Sequence, residues 1–307
     1  MTSHHVITFY SIERIENNKK LGRVVERFCI KNKIVGTFFS TPQGVNTTLS
    51  GTKNSLELLI ALLETKFKLK LKDQTWSQSA SVPFKRLKIK CRENLLPLDG
   101  NFDPVESRGK HLNASEWNDL VLDPDTIIVD VRNDYESKIG TFKDSTIPNM
   151  KNFTEFPSFV ENYLKDKKDK KIAMFCTGGI RCEIASSFMI DRGFGEVYQL
   201  DGGVLKYLKE VEQDKNLWEG ECFVFDERVT VNKNLERGDY YQCFGCRRPL
   251  SKIDLQSEHY IKGVSCDMCY QSSSEEDKSR FAQRQKQIEL AEERGHQHMG
   301  MKAKQTR

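Results

Sequence analysis

Residues 170–194 read KKIAMFCTGGIRCEIASSFMIDRGF. Ile172 to Phe175 is a short apolar run of the kind that forms a buried strand. CTGGIR interrupts it with two glycines, and a helix follows. Where a strand turns into a helix, the first helical amides have no partner within the helix and point back at the loop. The helix dipole adds partial positive charge at the same place. Gly178 and Gly179 let the backbone curl so that its amides face inward. A thiolate on Cys176 is favoured in such a cradle, which makes it a nucleophile near neutral pH. Arg181 adds a permanent positive charge able to hold an anionic group, and its ring with Cys176 takes in Thr177, Gly178, Gly179 and Ile180. A phosphate-binding loop would end in Gly-Lys-Ser/Thr, which is absent. A cysteine phosphatase loop has five residues between Cys and Arg, and here there are four, leaving less room for a phosphoryl group. An inert buried cysteine beside a turn does not explain the glycines and the arginine together.

Working outward, SEWNDLV reads as a short helix capped by Ser115, TIIVDVR as a buried strand, EVYQLDGG as a third strand and VLKYLKEVEQ as a helix. Strands alternating with helices predict a doubly wound parallel sheet over residues 113–213. Asp130, Arg132 and Glu136 are expected to pair and fix loops at the strand ends, and Asp201, Gly202 and Gly203 to turn beside the Cys176 loop. Cys182 either resolves an oxidised or sulfur-loaded Cys176 or packs as a small apolar residue in the first helical turn.

Ahead of this unit the order is β-α-β-β-α-β. HVITFYSI reads as a strand, LGRVVERFCIKN as a helix, and KIVGTFFS and VNTTLSG as strands around the turn TPQG. NSLELLIALLETKF is a helix capped at Asn54 or Ser55, and FKRLKIKC is the closing strand. That order predicts a ferredoxin-like domain over residues 1–98. It holds 17 Lys or Arg against 7 Asp or Glu, although the whole chain has a formal net charge of only +4. A basic first domain suggests a polyanionic partner such as nucleic acid, with Lys85, Arg86, Lys88 and Lys90 as candidate contacts, against the plainer reading of a solvated lysine-rich surface. NLLPLDGNFDPVESRGKHL holds two prolines, two glycines and mixed charge, and residues 99–112 within it read as a linker.

Beyond residue 213 come WEGECFVFDERVTVN, expected to be extended, and a Cys-rich module over residues 214–271. Cys243-x2-Cys246 and Cys266-x2-Cys269 are paired knuckles with the spacing of a four-thiolate structural zinc site, against free thiols or disulfides formed on oxidation. Residues 272–307 read as a charged helical tail. No apolar run reaches the roughly 20 residues that span a bilayer, and the N-terminal stretch lacks the pattern of a signal peptide. The expectation is a cytoplasmic protein with no membrane partner, whose nine cysteines are mostly reduced. No flavin, haem or nucleotide motif is visible.

The loop CTGGIRC resembles the active-site loop of rhodaneses, which carry sulfur as a cysteine persulfide. DVRNDYE at Asp130–Glu136 and LDGGVLKYL from Leu200 resemble two further stretches of that family. Over nearly the whole chain, the basic first domain with QGVNTTLSG, the run CTGGIRCE, the stretch FVFDER and the paired CxxC motifs are together similar to the tRNA uridine hydroxylase family (TrhO). That resemblance implies a tRNA-modifying oxidoreductase, with tRNA as partner, molecular oxygen as co-substrate and the wobble uridine converted to 5-hydroxyuridine. It also implies that Cys176 is the essential residue. The loop chemistry by itself favours persulfide sulfur transfer.

Overall fold

The computed structural model describes residues 4–295; the last part of the expected tail, 296–307, lies outside them. The first unit contains β1 (His4–Ile12), α1 (Asn18–Lys31), β2 (Val35–Thr41), β3 (Gly44–Gly51), α2 (Lys53–Phe67), β4 (Lys72–Ser79) and β5 (Leu87–Cys91). Its sheet runs β4-β1-β3-β2-β5. The first four strands are antiparallel in the ferredoxin-like order, and β5 joins the far edge parallel to β2.

This corrects the expected closing strand. KDQTWSQS closes the fold, and the lysine-rich FKRLKIKC segment is an added edge strand. KDQTWSQS carries a single large apolar residue, Trp76, so its composition does not mark a strand; that residue packs partly buried against the core. The added strand fits closely: a Cβ on Gly22 of α1 would lie 2.5 Å from the Cys91 sulfur and 3.3 Å from Ile89, so a larger residue there would make the Cys91 side chain turn away.

Ile7 and Phe9 of β1 point to one side of the sheet, where they meet Leu21, Val25 and Cys29 of α1 and Leu56, Leu59 and Leu63 of α2. The helical repeat puts these residues on one face of each helix. The cap of α2 is Thr52, whose hydroxyl accepts from the Ser55 N–H, and not Asn54 or Ser55 as expected.

The second unit holds β6 (Lys110–Leu112), α3 (Ala114–Val121), β7 (Thr126–Asp130), α4 (Asp134–Ser137), β8 (Gly140–Phe142), α5 (Phe156–Phe159), β9 (Lys171–Phe175), α6 (Ile180–Asp191), β10 (Glu196–Leu200) and α7 (Gly203–Glu210). Strands β6-β10-β9-β7 form a parallel sheet in that order. Its edge strand β6 falls where a linker was expected. The residue before α3 explains the miss. Asn113, and not Ser115, caps the helix, in a capping box with Glu116, so the ordered chain begins earlier than the apolar pattern shows. Leu95 and Leu98, just before the expected linker, also pack into the second unit's core.

The third region is built from small pieces: β11 (Trp218–Gly220) against β8, the hairpin β12 (Cys222–Phe223) and β13 (Thr230–Val231), the pair β14 (Tyr241–Gln242) and β15 (Pro249–Leu250), α8 (Asp267–Tyr270), and α9 (Glu275–Glu293). Helix α9 buries none of its residues, as its charged sequence implies. The chain is thus mixed α+β and α/β: a ferredoxin-like unit, a rhodanese-like parallel sheet and a Cys-rich C-terminal cluster. No helix among the described residues is long and apolar enough to cross a membrane.

Candidate functional site

Cys176 lies directly after β9, and Gly179 opens α6 with φ of 91°, a conformation that favours glycine. The Gly179 N–H donates to the Cys176 sulfur at 3.1 Å. The turn after β10 closes the loop from the other side. The N–H groups of Val204 and Leu205 donate to the carbonyls of Cys176 (2.9 Å) and Thr177 (3.1 Å). A Cβ on Gly203 would meet the Cys176 carbonyl oxygen at 2.5 Å and the Gly179 nitrogen at 2.6 Å. The Asp-Gly-Gly turn therefore sits where the sequence places it, with glycine required by the close approach.

Burial pushes the Cys176 thiol up. The Cys182 thiol's hydrogen bond, the Arg181 charge and the backbone N–H groups of Cys182 and Arg181 outweigh it, and the result falls from 9.0 to about 6. The sulfur is therefore mostly thiolate at neutral pH. Cys182 moves the opposite way. It is fully buried, and burial followed by its contact with Cys176 holds it well above the ordinary range.

Arg181 is not the free anion clamp expected of it. Its two terminal nitrogens donate to the two carboxylate oxygens of Glu136, each at 2.8 Å. Glu136 also accepts from the Thr177 hydroxyl at 3.2 Å. The bidentate pair fixes the guanidinium plane. Arg181 thus acts on the sulfur mainly as a held charge. Asp130 and Arg132 do pair and brace the strand ends, as expected. Arg132 is fully buried, bonds Asp130 at 2.8 Å and 2.6 Å, and lies over the rings of Phe175 and Trp218.

Sequence reasoning missed the contribution of the first unit. The face of its sheet away from α1 and α2 rests on the Cys176 loop. A Cβ on Gly178 would lie 3.7 Å from Thr8, and one on Gly179 would lie 2.9 Å from the Tyr10 ring. The Tyr10 hydroxyl donates to Glu183 at 2.8 Å. Glu183, one residue past Cys182, is buried and also meets His111 at 2.8 Å, Gln199 at 3.3 Å and Arg108 at 3.6 Å. The Glu183 hydrogen bond raises the His111 pKa against the effect of burial. A signal for this existed in β1: Val6, Thr8 and Tyr10 are β-formers on the face opposite Ile7 and Phe9, so both faces of the strand asked for cover.

The four C-terminal cysteines come together as one cluster, their sulfurs all within 4.8 Å of one another. Cys243 and Cys269 are 3.9 Å apart, Cys246 and Cys266 3.8 Å, and Cys266 and Cys269 3.9 Å. Tetrahedral zinc with Zn–S of about 2.3 Å requires sulfurs about 3.8 Å apart. A disulfide needs about 2.05 Å. The four sulfurs therefore fit a metal such as zinc, and none is bonded to another. His259, between the knuckles, bonds Asp267 at 2.8 Å and stacks on Tyr270, outside the cluster.

The candidate RNA contacts Lys85, Arg86, Lys88 and Lys90 lie on and beside the edge strand β5. Arg86 and Lys88 are exposed; Lys85 faces Glu227 at 3.6 Å.

Residues 4–95 match the family model described as the UPF0176 acylphosphatase-like domain, and residues 113–210 match that of the rhodanese-like domain. Among solved structures, a rhodanese-related protein from Thermoplasma volcanium is 22% identical, with a TM-score of 0.27, over 33% of this chain and 92% of its own. The single-domain sulfurtransferase RDL2 of Saccharomyces cerevisiae is 18% identical, with a TM-score of 0.29, over 34% and 92%. An acylphosphatase from Bacillus subtilis is 18% identical, with a TM-score of 0.22, over 29% and 98%. The rhodanese-like domain points to an enzyme of sulfurtransferase type or related chemistry.

Proposed function

We propose that this chain is a tRNA-modifying oxidoreductase that converts the wobble uridine to 5-hydroxyuridine, with molecular oxygen as co-substrate and Cys176 as the essential group. The observation that carries this reading is the seating of the first unit on the Cys176 loop. Tyr10 covers Gly179, whose N–H holds the Cys176 sulfur, and the hydroxyl of Tyr10 is tied to Glu183 on the same helix. A basic unit joined to a thiolate cradle is what a polyanionic substrate with one reacting base requires. The two matched domains, in this order, are those of the architecture the sequence resembles. The reading includes a cytoplasmic location and a structural zinc on Cys243, Cys246, Cys266 and Cys269. Four thiolates fill the tetrahedron and leave no position for a reactant.

In this reading the residues of the chain divide the work. The Gly179 N–H and the Arg181 charge keep Cys176 as thiolate. Glu136 keeps Arg181 in place, and Glu183 holds Tyr10 over the loop. A second reading, persulfide sulfur transfer, is favoured by one specific observation: a buried thiolate ringed by backbone N–H groups is also suited to hold a persulfide anion.

Mass spectrometry of tRNA nucleosides from cells lacking the protein separates the two. Loss of 5-hydroxyuridine, restored by the wild-type chain and not by Cys176→Ala, is the expected result. Unchanged 5-hydroxyuridine, with a persulfide found on Cys176 of the purified protein, would replace the first reading with the second.

A further inference from the structure

The hairpin between β12 and β13 holds Phe225 out in solvent, 60% exposed, although Phe223 and Val224 before it are buried. The hairpin is not a loose loop. Arg228 binds Asp226 through its Nε at 2.9 Å and Nη2 at 2.7 Å, and reaches across to the Ser77 hydroxyl of β4 at 2.8 Å. The Glu227 N–H donates to the Pro83 carbonyl at 2.9 Å. Val229 is held at φ of 68°, a conformation β-branched residues rarely adopt, and such local strain persists only where its surroundings impose it. The one large apolar side chain this braced hairpin exposes stands over Arg181, with the guanidinium 5.8 Å from the ring centroid. Phe223 packs on it in a T-shaped pair, ring centroids 5.0 Å apart.

From Phe225 a strip of alternating rings and cations leads away across three regions of the chain. Glu227, two residues on, faces Lys85. Lys85 lies 5.0 Å over the ring of Phe244, in the first cysteine knuckle, and Arg247 lies 5.3 Å over the same ring. Arg86, Lys88 and Lys90 follow along β5. Lys90 and Arg92 lie over Phe39, at 5.2 Å and 5.3 Å. The Lys88 pKa is lowered by burial first and then by Arg86, Lys90 and Arg247, as expected where one basic patch is assembled from two regions. Glu227 is the carboxylate that this strip contains.

The geometry points to a single-stranded RNA track in which Phe225 is a nucleobase-stacking platform beside the Cys176 loop, and Arg247 of the Cys-rich module extends the phosphate-binding edge of β5. This inference rests on the RNA reading above and assigns the surface that carries it. Cations spaced along the strip neutralise phosphates, and exposed or half-exposed rings between them offer faces that any base can stack on. Rings spaced between cations suit a polyanion that carries its own flat bases better than one that carries charge alone.

The test is fluorescence anisotropy on the full-length protein with a labelled uridine-containing 12-nucleotide single-stranded RNA. Inorganic polyphosphate as competitor gives a partner with the charge and no bases. Phe225→Ala is expected to weaken RNA binding at least about fivefold and to leave polyphosphate competition unchanged; Phe225→Trp is expected to restore binding. Lys88→Glu and Arg247→Glu are expected to weaken both and to flatten the salt dependence. Unchanged melting and unchanged Cys176 alkylation by iodoacetamide show that each variant is folded. Equal RNA affinity in Phe225→Ala, or an equal loss for RNA and polyphosphate, overturns the stacking assignment. Unchanged binding in Arg247→Glu overturns the module's part. Wild-type protein without affinity for the RNA would overturn the RNA reading itself, a failure distinct from the other two.

Discussion

Cys176 and Cys243 are both buried cysteines whose thiol pKa is depressed, to about 6 at Cys176 and, at Cys243, through the thiol of Cys246. Burial alone does the reverse at Cys29, pushing it up to about 12, and burial is the first cause of the same rise at Cys222, where nearby charges of both signs follow. The two depressed thiols reach that state by different means. At Cys176 the negative charge is met by donors that do not titrate near neutral pH, namely backbone N–H groups and the Arg181 guanidinium, with one further thiol. At Cys243 the first cause is the thiol of Cys246, and other sulfurs share the same few ångströms. Fixed donors leave a thiolate that keeps its lone pairs for chemistry. A ring of sulfurs shares protons that a divalent cation readily displaces. One element thus serves reactivity in the first place and structure in the second, and the partners decide which.

The largest effect expected breaks the comparison at its reactive end. On the proposed reading, Cys176→Ala should abolish formation of 5-hydroxyuridine, a fall of at least about a thousandfold, because it removes the one loop thiol whose pKa is depressed toward neutral pH. Thermal melting should stay within a few degrees of wild type. A variant that retains activity would show that the depressed pKa of Cys176 has no chemical purpose.

At the structural end, the proposed zinc reading predicts that Cys243→Ser with Cys246→Ser removes about one zinc per chain by elemental analysis. The same reading predicts that the module around Leu250 and Val264 unfolds, since so small a core would need the metal for stability. Cys176 should still alkylate at the wild-type rate. Wild-type protein free of metal and equally stable would refute the division between the two clusters.

A smaller effect lies with Glu136. Glu136→Gln leaves the Arg181 guanidinium, 8% exposed, without its opposite charge. Breaking one side of a buried pair costs about 3 kcal/mol or more, read as a fall in denaturation midpoint. The Cys176 pKa should fall further, because the Arg181 charge is no longer neutralised. A variant of unchanged stability would mean that the two 2.8 Å bonds contribute nothing net.

The parts of this arrangement that could be read from the sequence were those encoded locally. The Cys176 loop, its glycines, the Asp-Gly-Gly turn and the paired knuckles each lie within a few consecutive residues, where spacing alone implies chemistry. What escaped was set by distant partners. KDQTWSQS lacks an apolar alternation, and β4 is held as a strand by six residue pairs to β1, broken by one bulge, rather than by its own composition. Arg181 reads as an anion clamp until Glu136, 45 residues earlier, takes both ends of its guanidinium. Tyr10 and Glu183 are 173 residues apart, and nothing near either one names the other. Charged side chains keep several possible partners until the fold selects one.

The smallest effect tests the one donor at Cys176 that does titrate. Cys182 is buried, its own pKa is raised, and its thiol hydrogen-bonds the Cys176 sulfur. Cys182→Ala removes that hydrogen bond but leaves the N–H groups and Arg181. The inflection of iodoacetamide alkylation against pH, expected at about 6 in the wild type, should move up toward 9.0, and Cys182→Ser should move it less. Activity at pH 7 should drop severalfold and recover on raising the pH, because only the thiolate fraction has changed. The sign carries over to stability. Between about 6 and 9.0 the folded wild type binds fewer protons at Cys176 than the unfolded chain, so its stability rises with pH across that window and the gain is lost as pH falls through about 6. In Cys182→Ala the window narrows from below. If activity is instead lost at every pH, Cys182 takes part in the chemistry as a resolving thiol, and the site holds two reacting sulfurs rather than one sulfur and its donor.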